Sequence, residues 1–205
     1  MTAAHAKLTM LIASGALVMA FACKGKNESY GTDTARAATA TKDTTTAATS
    51  APAAGGLTDA NIAAILDAAN ESDSAFGSMA VKKGKSVDVK QFGRLMMGEH
   101  HALRQQGQQL VKKLNVTPVL PTNFDLPDKQ RSAMSDLEKK SGTDFDKAYI
   151  DHEVDYHQQV LETATKALGA AQNQELKDLI QKAAPVIQKH LDRAKEIQKK
   201  LSTTA

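Results

Sequence analysis

Apolar residues recur at steps of three and four along four long stretches of the chain. That spacing puts them on one stripe of an α-helix. In the clearest stretch, residues 144–168, the stripe reads Ile150, Val154, His157, Leu161, Ala164 and Leu168. An earlier stretch opens at Thr58 or Asp59, both good N-caps. It carries Ile62, Leu66, Ala69, Asp73, Phe76 and Ala80 and closes near Gly84. The next follows Ser86 with Val89, Gly93, Met96, His100, Leu103, Gly107, Leu110 and Leu114. A phase one position over, through Phe92, Met96, Glu99 and Leu103, fits it as well. Gly93 and Gly107 weaken this helix intrinsically, and a close neighbour would explain them. The last stretch, residues 173–201, carries Leu176, Ile180, Ala183, Ile187, His190, Ala194, Ile197 and Leu201. Pro185 lies inside it and predicts a kink about one turn before His190.

Between the second and third helices, Pro118, Pro121 and Pro127 interrupt any helix. Residues 128–140 then predict a short helix closed by Gly142. The order is hairpin, long crossover with a short helix, hairpin, and no alternating strand pattern accompanies it. The fold class is therefore all-α, with the connectivity of a ferritin-like four-helix bundle. Composition agrees, since tryptophan is absent and only 4% of residues are aromatic. The net charge of +3 comes from Lys and Arg interleaved with Asp and Glu. That is no footprint for nucleic acid.

The first residues read differently. Lys7 precedes an apolar run over residues 8–21. It falls short of the roughly 20 apolar residues of a membrane span and ends in small residues, as a cleaved export signal does. Residues 1–22 are read as that signal. The sequence Ala20-Phe21-Ala22-Cys23 resembles a bacterial lipobox, with Ala20 where Leu is usual, and Cys23 is the single cysteine. Lipidation of Cys23 is the favoured reading; ordinary cleavage after Ala22 is the alternative. Residues 23–56, rich in Ala and Thr, bury too little to offset their ordering entropy. They are read as a disordered tether, with the bundle domain over residues 57–205. The expectation is an exported protein in the periplasm, held to the outer membrane through lipid on Cys23. No protein partner can be read.

Each long stripe holds one metal-ligand-type residue near its middle: Asp73, His100, His157 and His190. Counted from the predicted turns, the first two differ in height by about 5 Å and the second two by about 9 Å at the helical rise. Buried ionisable groups are costly unless paired or bound to a cation. Three imidazoles and a carboxylate suit one divalent transition metal ion. Glu153, one turn from His157, is a candidate fifth ligand or a support for one. The competing reading is a metal-free network, with Asp73–His100 and Glu153–His157 pairs helped by Tyr149 and Tyr156. His101 and His152 lie off the stripes and are expected in solvent. No Gly-rich phosphate loop, zinc-protease motif or nucleophilic serine motif is present. No catalytic residue is assigned, and an enzyme is the less favoured class.

The stretch DSAFGSMAVKKGKSVDVKQFGRLMMGEHH, residues 73–101, resembles the first half of the domain of unknown function 4142 family. FDKAYIDHEVDYH and APVIQKHLDRA resemble its second half. The marks are Glu99-His100, the set Phe145, Asp146 and Tyr149, then His157, and Pro185 with His190. The resemblance covers residues 57–201. It implies a ferritin-like bundle in exported bacterial proteins and brings no established reaction. Asp73 stands where the family has Glu. Met97 and Ile187 stand three residues before His100 and His190. The Glu-x-x-His pairs of di-iron bundles are therefore missing, so a di-iron centre is not expected.

Overall fold

The computed structural model describes residues 56–122 and 124–203. The signal, Cys23 and nearly all of the tether lie outside the described residues. Five helices follow in order: α1 (Asp59–Lys83), α2 (Val87–Leu114), α3 (Leu126–Glu138), α4 (Gly142–Ala170) and α5 (Gln174–Thr203). The four long ones form an all-α four-helix bundle. α1 packs against α2 and α4, α5 packs against α2 and α4, and α3 lies against α1 and α4. No described helix is long and apolar enough to cross a membrane.

The helix starts follow from local hydrogen bonding. Thr58 is the N-cap of α1. Its Oγ1 accepts from the Asn61 N–H at 3.0 Å, and Asn61 Oδ1 accepts from the Thr58 N–H at 3.0 Å. This is a reciprocal capping box. Asp59 instead caps the opposite hairpin: its carboxylate accepts from the Gln172 and Asn173 N–H groups at 2.8 and 3.0 Å. Ser86 precedes α2 but offers no side-chain cap. Asp146 of α4 supplies that role, accepting from the Lys85 and Ser86 N–H groups at 2.9 and 2.7 Å. Pro185 sits inside α5 without ending it.

Both phases proposed for the second helix contribute to the core, since Val89, Phe92, Gly93, Met96 and His100 are all buried. Gly93 meets Gly77 of α1 backbone to backbone. A Cβ on Gly93 would lie 2.7 Å from the Gly77 carbonyl oxygen, and one on Gly77 2.5 Å from that of Gly93. Gly107 has nothing within 4 Å of such a Cβ, so close packing does not account for it.

The bundle has two unlike halves. One is packed with large side chains, among them Phe76, Phe92, Met96, Phe145, Tyr149, Ile150 and Ile197. The other is built on Ile62, Ala164, Ala167, Ala171, Leu176 and Ile180. Along the helices, Asp73, His100, Glu153, His157 and His190, all buried, lie between them.

Candidate metal centre

Asp73, His100, Glu153, His157 and His190 are all buried, and none exposes more than 2% of its surface. α1 supplies the aspartate, α2 and α5 one histidine each, and α4 the glutamate and a histidine one turn apart. Counted from the observed helix ends, His157 stands 13 residues before Ala170 and His190 16 after Gln174. At the helical rise their heights differ by about 5 Å, less than the predicted helix ends allowed, and side-chain reach closes the gap.

The three imidazoles form a near-equilateral cluster with ring centroids 5.1 to 5.7 Å apart. His100, His157 and His190 bring one ring nitrogen each within 4.8 Å of the others, and so do the ligand atoms of Asp73, Glu153 and His157. His100 Nε2 lies 3.2 Å from Asp73 Oδ2 and 3.2 Å from His190 Nδ1. His157 Nε2 lies 3.6 Å from the same Asp73 oxygen. A tetrahedral ion with bonds of 2.0–2.1 Å separates its ligands by about 3.4 Å. These three separations bracket that value.

The outer nitrogens fix the tautomers. Asn70 Nδ2 donates to the Leu66 carbonyl at 2.7 Å, which turns its Oδ1 toward His100. His100 Nδ1–H donates to that oxygen at 2.9 Å. His157 Nδ1–H donates to the Glu153 carbonyl at 2.9 Å, and His190 Nε2–H to Glu99 Oε2 at 2.8 Å. With these protons outward, His100 Nε2 and His157 Nε2 face Asp73 Oδ2, and His190 Nδ1 faces His100 Nε2. Such outer hydrogen bonds characterise imidazoles that ligate metals.

Burial holds the His100 imidazole down at about 3, with the neighbouring His190 adding to the effect. It lowers His157 as well, opposed in part by Asp73. Both rings are therefore neutral near pH 7. Burial raises Asp73, opposed chiefly by His157. Burial and then the charge of Asp73 raise Glu153 well above the usual carboxylate range. Without a cation the two carboxylates resist ionising together.

The metal-free network is incomplete. Asp73 Oδ1, both carboxylate oxygens of Glu153, Tyr149 OH and His157 Nε2 are buried without a hydrogen-bond partner. Both expected pairs do approach, His100 Nε2 to Asp73 Oδ2 at 3.2 Å and His157 Nδ1 to Glu153 Oε2 at 3.4 Å, and Tyr156 donates to the Ala69 carbonyl at 3.1 Å. Nearly all buried polar atoms in native proteins find partners. Here the unpartnered ones gather at one point of the bundle, where a cation, or a proton on Glu153, would engage them.

His152 corrects the sequence expectation. It is not solvated: its ring stacks 4.2 Å from Phe76 and 5.6 Å from Tyr156. Burial pushes it down to about 4. His101 is exposed and bonds Gln105 at 3.0 Å. Sequence reasoning missed Asn70 altogether and gave Glu99 no role. The signal for Asn70 was its place one turn before Asp73.

Beside the cluster, in the alanine-rich half, lies a cavity of about 480 Å³. Its floor includes Asp73, His100 and Asn70, and Pro118 and Leu120 of the crossover are among its lining residues. His157 and His190 do not line it.

A family model described as "Domain of unknown function (DUF4142)" matches residues 42–197. No curated protein and no solved structure matches the chain.

Proposed function

Given that the chain belongs to the family of the domain of unknown function DUF4142, which carries no activity with it, we propose a function from the centre of the bundle: it holds one divalent transition metal ion. Asp73, His100, His157 and His190 are the ligands, and Glu153 is the neighbouring carboxylate. The observation that carries this reading is a buried cluster of three imidazoles with ring nitrogens within 4.8 Å of one another, two of which face the same carboxylate oxygen of Asp73. His100 Nε2 and His190 Nδ1 lie 3.2 Å apart, so either a proton on one of them or a cation between them joins the two rings. A cation would also give Asp73 and Glu153 a reason to ionise. Imidazole with carboxylate suits zinc, copper, iron or nickel more than calcium or magnesium.

At the level of the cell, we propose that the bundle acts as a metal-holding module of the bacterial envelope. Its export and its lipid anchor at Cys23 rest on the sequence of residues 1–23.

The test is metal analysis of the purified protein after loading with zinc, copper, cobalt, iron or manganese and removal of excess. The expected result is one ion per chain, lost in His157→Ala and in His190→Ala. If no metal is retained in stoichiometric amount under any loading condition, the reading is wrong. The bundle would then be a structural envelope module with a hydrogen-bonded core.

A further inference from the structure

We infer that the cavity in the alanine-rich half takes the alkyl chain of a single-chain amphiphile, tail first, and leaves an uncharged polar head at its mouth. The inference stands apart from the metal reading, because it places no group of the ligand on the centre. The first observation is the deep end. Ala63, Ala64, Ala69, Ala164, Leu176 and Ile180 are buried lining residues. Asp73 and His100 border the same space but expose only 1% and 2% of their surface. Asn70, also there, spends its amide on Leu66 and His100. A charged or hydrogen-bonding head at that depth would shed its hydration and find no partner. A terminal methyl has no such hydration to lose.

The second observation is the mouth. The exposed lining residues are Glu71, Gln108, Lys112, Pro118 and Leu120, all on α1, α2 or the crossover. Those on α4 and α5 are buried or half-buried, so the cavity opens on the side of the first three. The charges around the opening cancel, Asp67 and Glu71 against Arg104 and Lys112. Arg104 is held by Asp67 at 2.9 and 3.0 Å and by Glu71 at 3.2 Å, and Gln108 Nε2 donates to Asp67 at 2.9 Å. The mouth therefore offers polar surface to a hydrated head, but no net charge that selects an anion or a cation. Val119 and Leu120, both exposed, add an apolar lip.

The third observation is shape. The lining runs from Ala63 to Asp73 on α1, from His100 to Lys112 on α2 and from Leu176 to Ile187 on α5. Each stretch covers about 15–18 Å at the helical rise, so the space is long and follows the helices. That suits an extended chain better than a compact ring system. Its volume of about 480 Å³ lies within the range of small-molecule sites. The space arises because alanines occupy this half where Phe76, Phe92, Met96 and Phe145 fill the other. Burying each CH2 of a chain there is worth roughly a factor of four in affinity.

The experiment titrates octyl, decyl and dodecyl maltoside, each below its micelle concentration, into metal-stripped protein by calorimetry, with maltose as the head alone. The expected result is one dodecyl maltoside per chain, an affinity that rises roughly fourfold per added CH2, and no binding of maltose. Gly107 lines the cavity, and a Cβ on it would meet nothing within 4 Å. Gly107→Phe is therefore expected to fill the space without a backbone clash and to weaken dodecyl maltoside binding at least tenfold. Ala183→Leu is the second variant should the first not fold. Residues 1–56 are the same in all three proteins, so such a loss reports on the cavity. An affinity independent of chain length, or a cavity-filled variant that binds as the unaltered protein does, overturns the inference. So does dodecanoate or dodecyltrimethylammonium binding tenfold tighter than the maltoside, since the mouth would then select charge. A tenfold gain on loading with cobalt also overturns it, since the head would then sit at the centre.

Discussion

At the scale of single residues, the candidate centre depends on atoms that would never touch the ion. Asn70, the Glu153 carbonyl and Glu99 each take the outward proton of one imidazole and so decide which nitrogen faces the cluster. Removing such a partner typically costs 10- to 100-fold in metal affinity. Glu99→Ala should weaken metal binding by about that factor in a chelator competition, with the fold intact, because Glu99 is half exposed. Glu99→Gln should recover part of the loss, since its amide oxygen can still accept from His190. His152 gives a separate residue-scale prediction. Its imidazole titrates near 4 in the fold against 6.5 in the unfolded chain. Above pH 6.5 it is neutral in both states and costs nothing. As pH falls from 6.5 toward 4, the unfolded chain binds the proton that the folded one refuses, and stability is lost. Between pH 7 and pH 5 the loss is about 2 kcal/mol. Urea unfolding of His152→Phe, which keeps the stacking against Phe76 and Tyr156, should show a pH dependence shallower by that amount. An unchanged dependence would place the ring in water.

At the scale of the helices, the glycine contacts and the borrowed cap carry the strongest predictions. Gly93→Ala puts a methyl 2.7 Å from the Gly77 carbonyl oxygen and 2.9 Å from Ala80 Cβ. α1 and α2 must then move apart, at a cost of roughly 1–3 kcal/mol in unfolding free energy. Gly107→Ala meets nothing and should stabilise by roughly 0.5–1 kcal/mol through helix propensity alone. The two substitutions look alike in the sequence, and a pair of urea unfolding curves separates them. Periodicity gave the helices to within a few residues at their ends, because each buries a stripe and stops at a polar or proline-rich segment. It left the phase of α2 open, because that helix buries a band wide enough to include Val89, Phe92 and Met96. It could not find the cap of α2: Asp146 lies 60 residues from Ser86, and only the closed bundle brings its carboxylate to the free N–H groups.

At the scale of the molecule, the four long helices set the height of every buried ionisable group, and that height was only partly legible. One such residue on each stripe could be read directly. That they share one point could not, because a single residue of error at a helix end moves a side chain by about 1.5 Å. Imidazole orientation was out of reach too, since it depends on Asn70 and Glu99 across helix boundaries. The last prediction follows from the division into halves. The aromatic half is packed with large side chains; the alanine-rich half holds a cavity, and the centre between them leaves buried oxygens and nitrogens without partners. An ion at that centre would add to the stability of the fold. An ion bound only by the folded state adds RT ln(1 + [L]/Kd), about 4 kcal/mol at a thousandfold excess over Kd. For a single domain of this size that raises the midpoint of thermal unfolding by roughly 8–16 °C. EDTA should lower the midpoint of the loaded protein to that of the stripped one. In Asp73→Asn, which keeps the shape and removes the charge that neutralises the ion, loading should raise the midpoint much less. If loaded and stripped proteins unfold at the same temperature, the orphaned polar atoms are not holding an ion, and packing alone maintains the bundle.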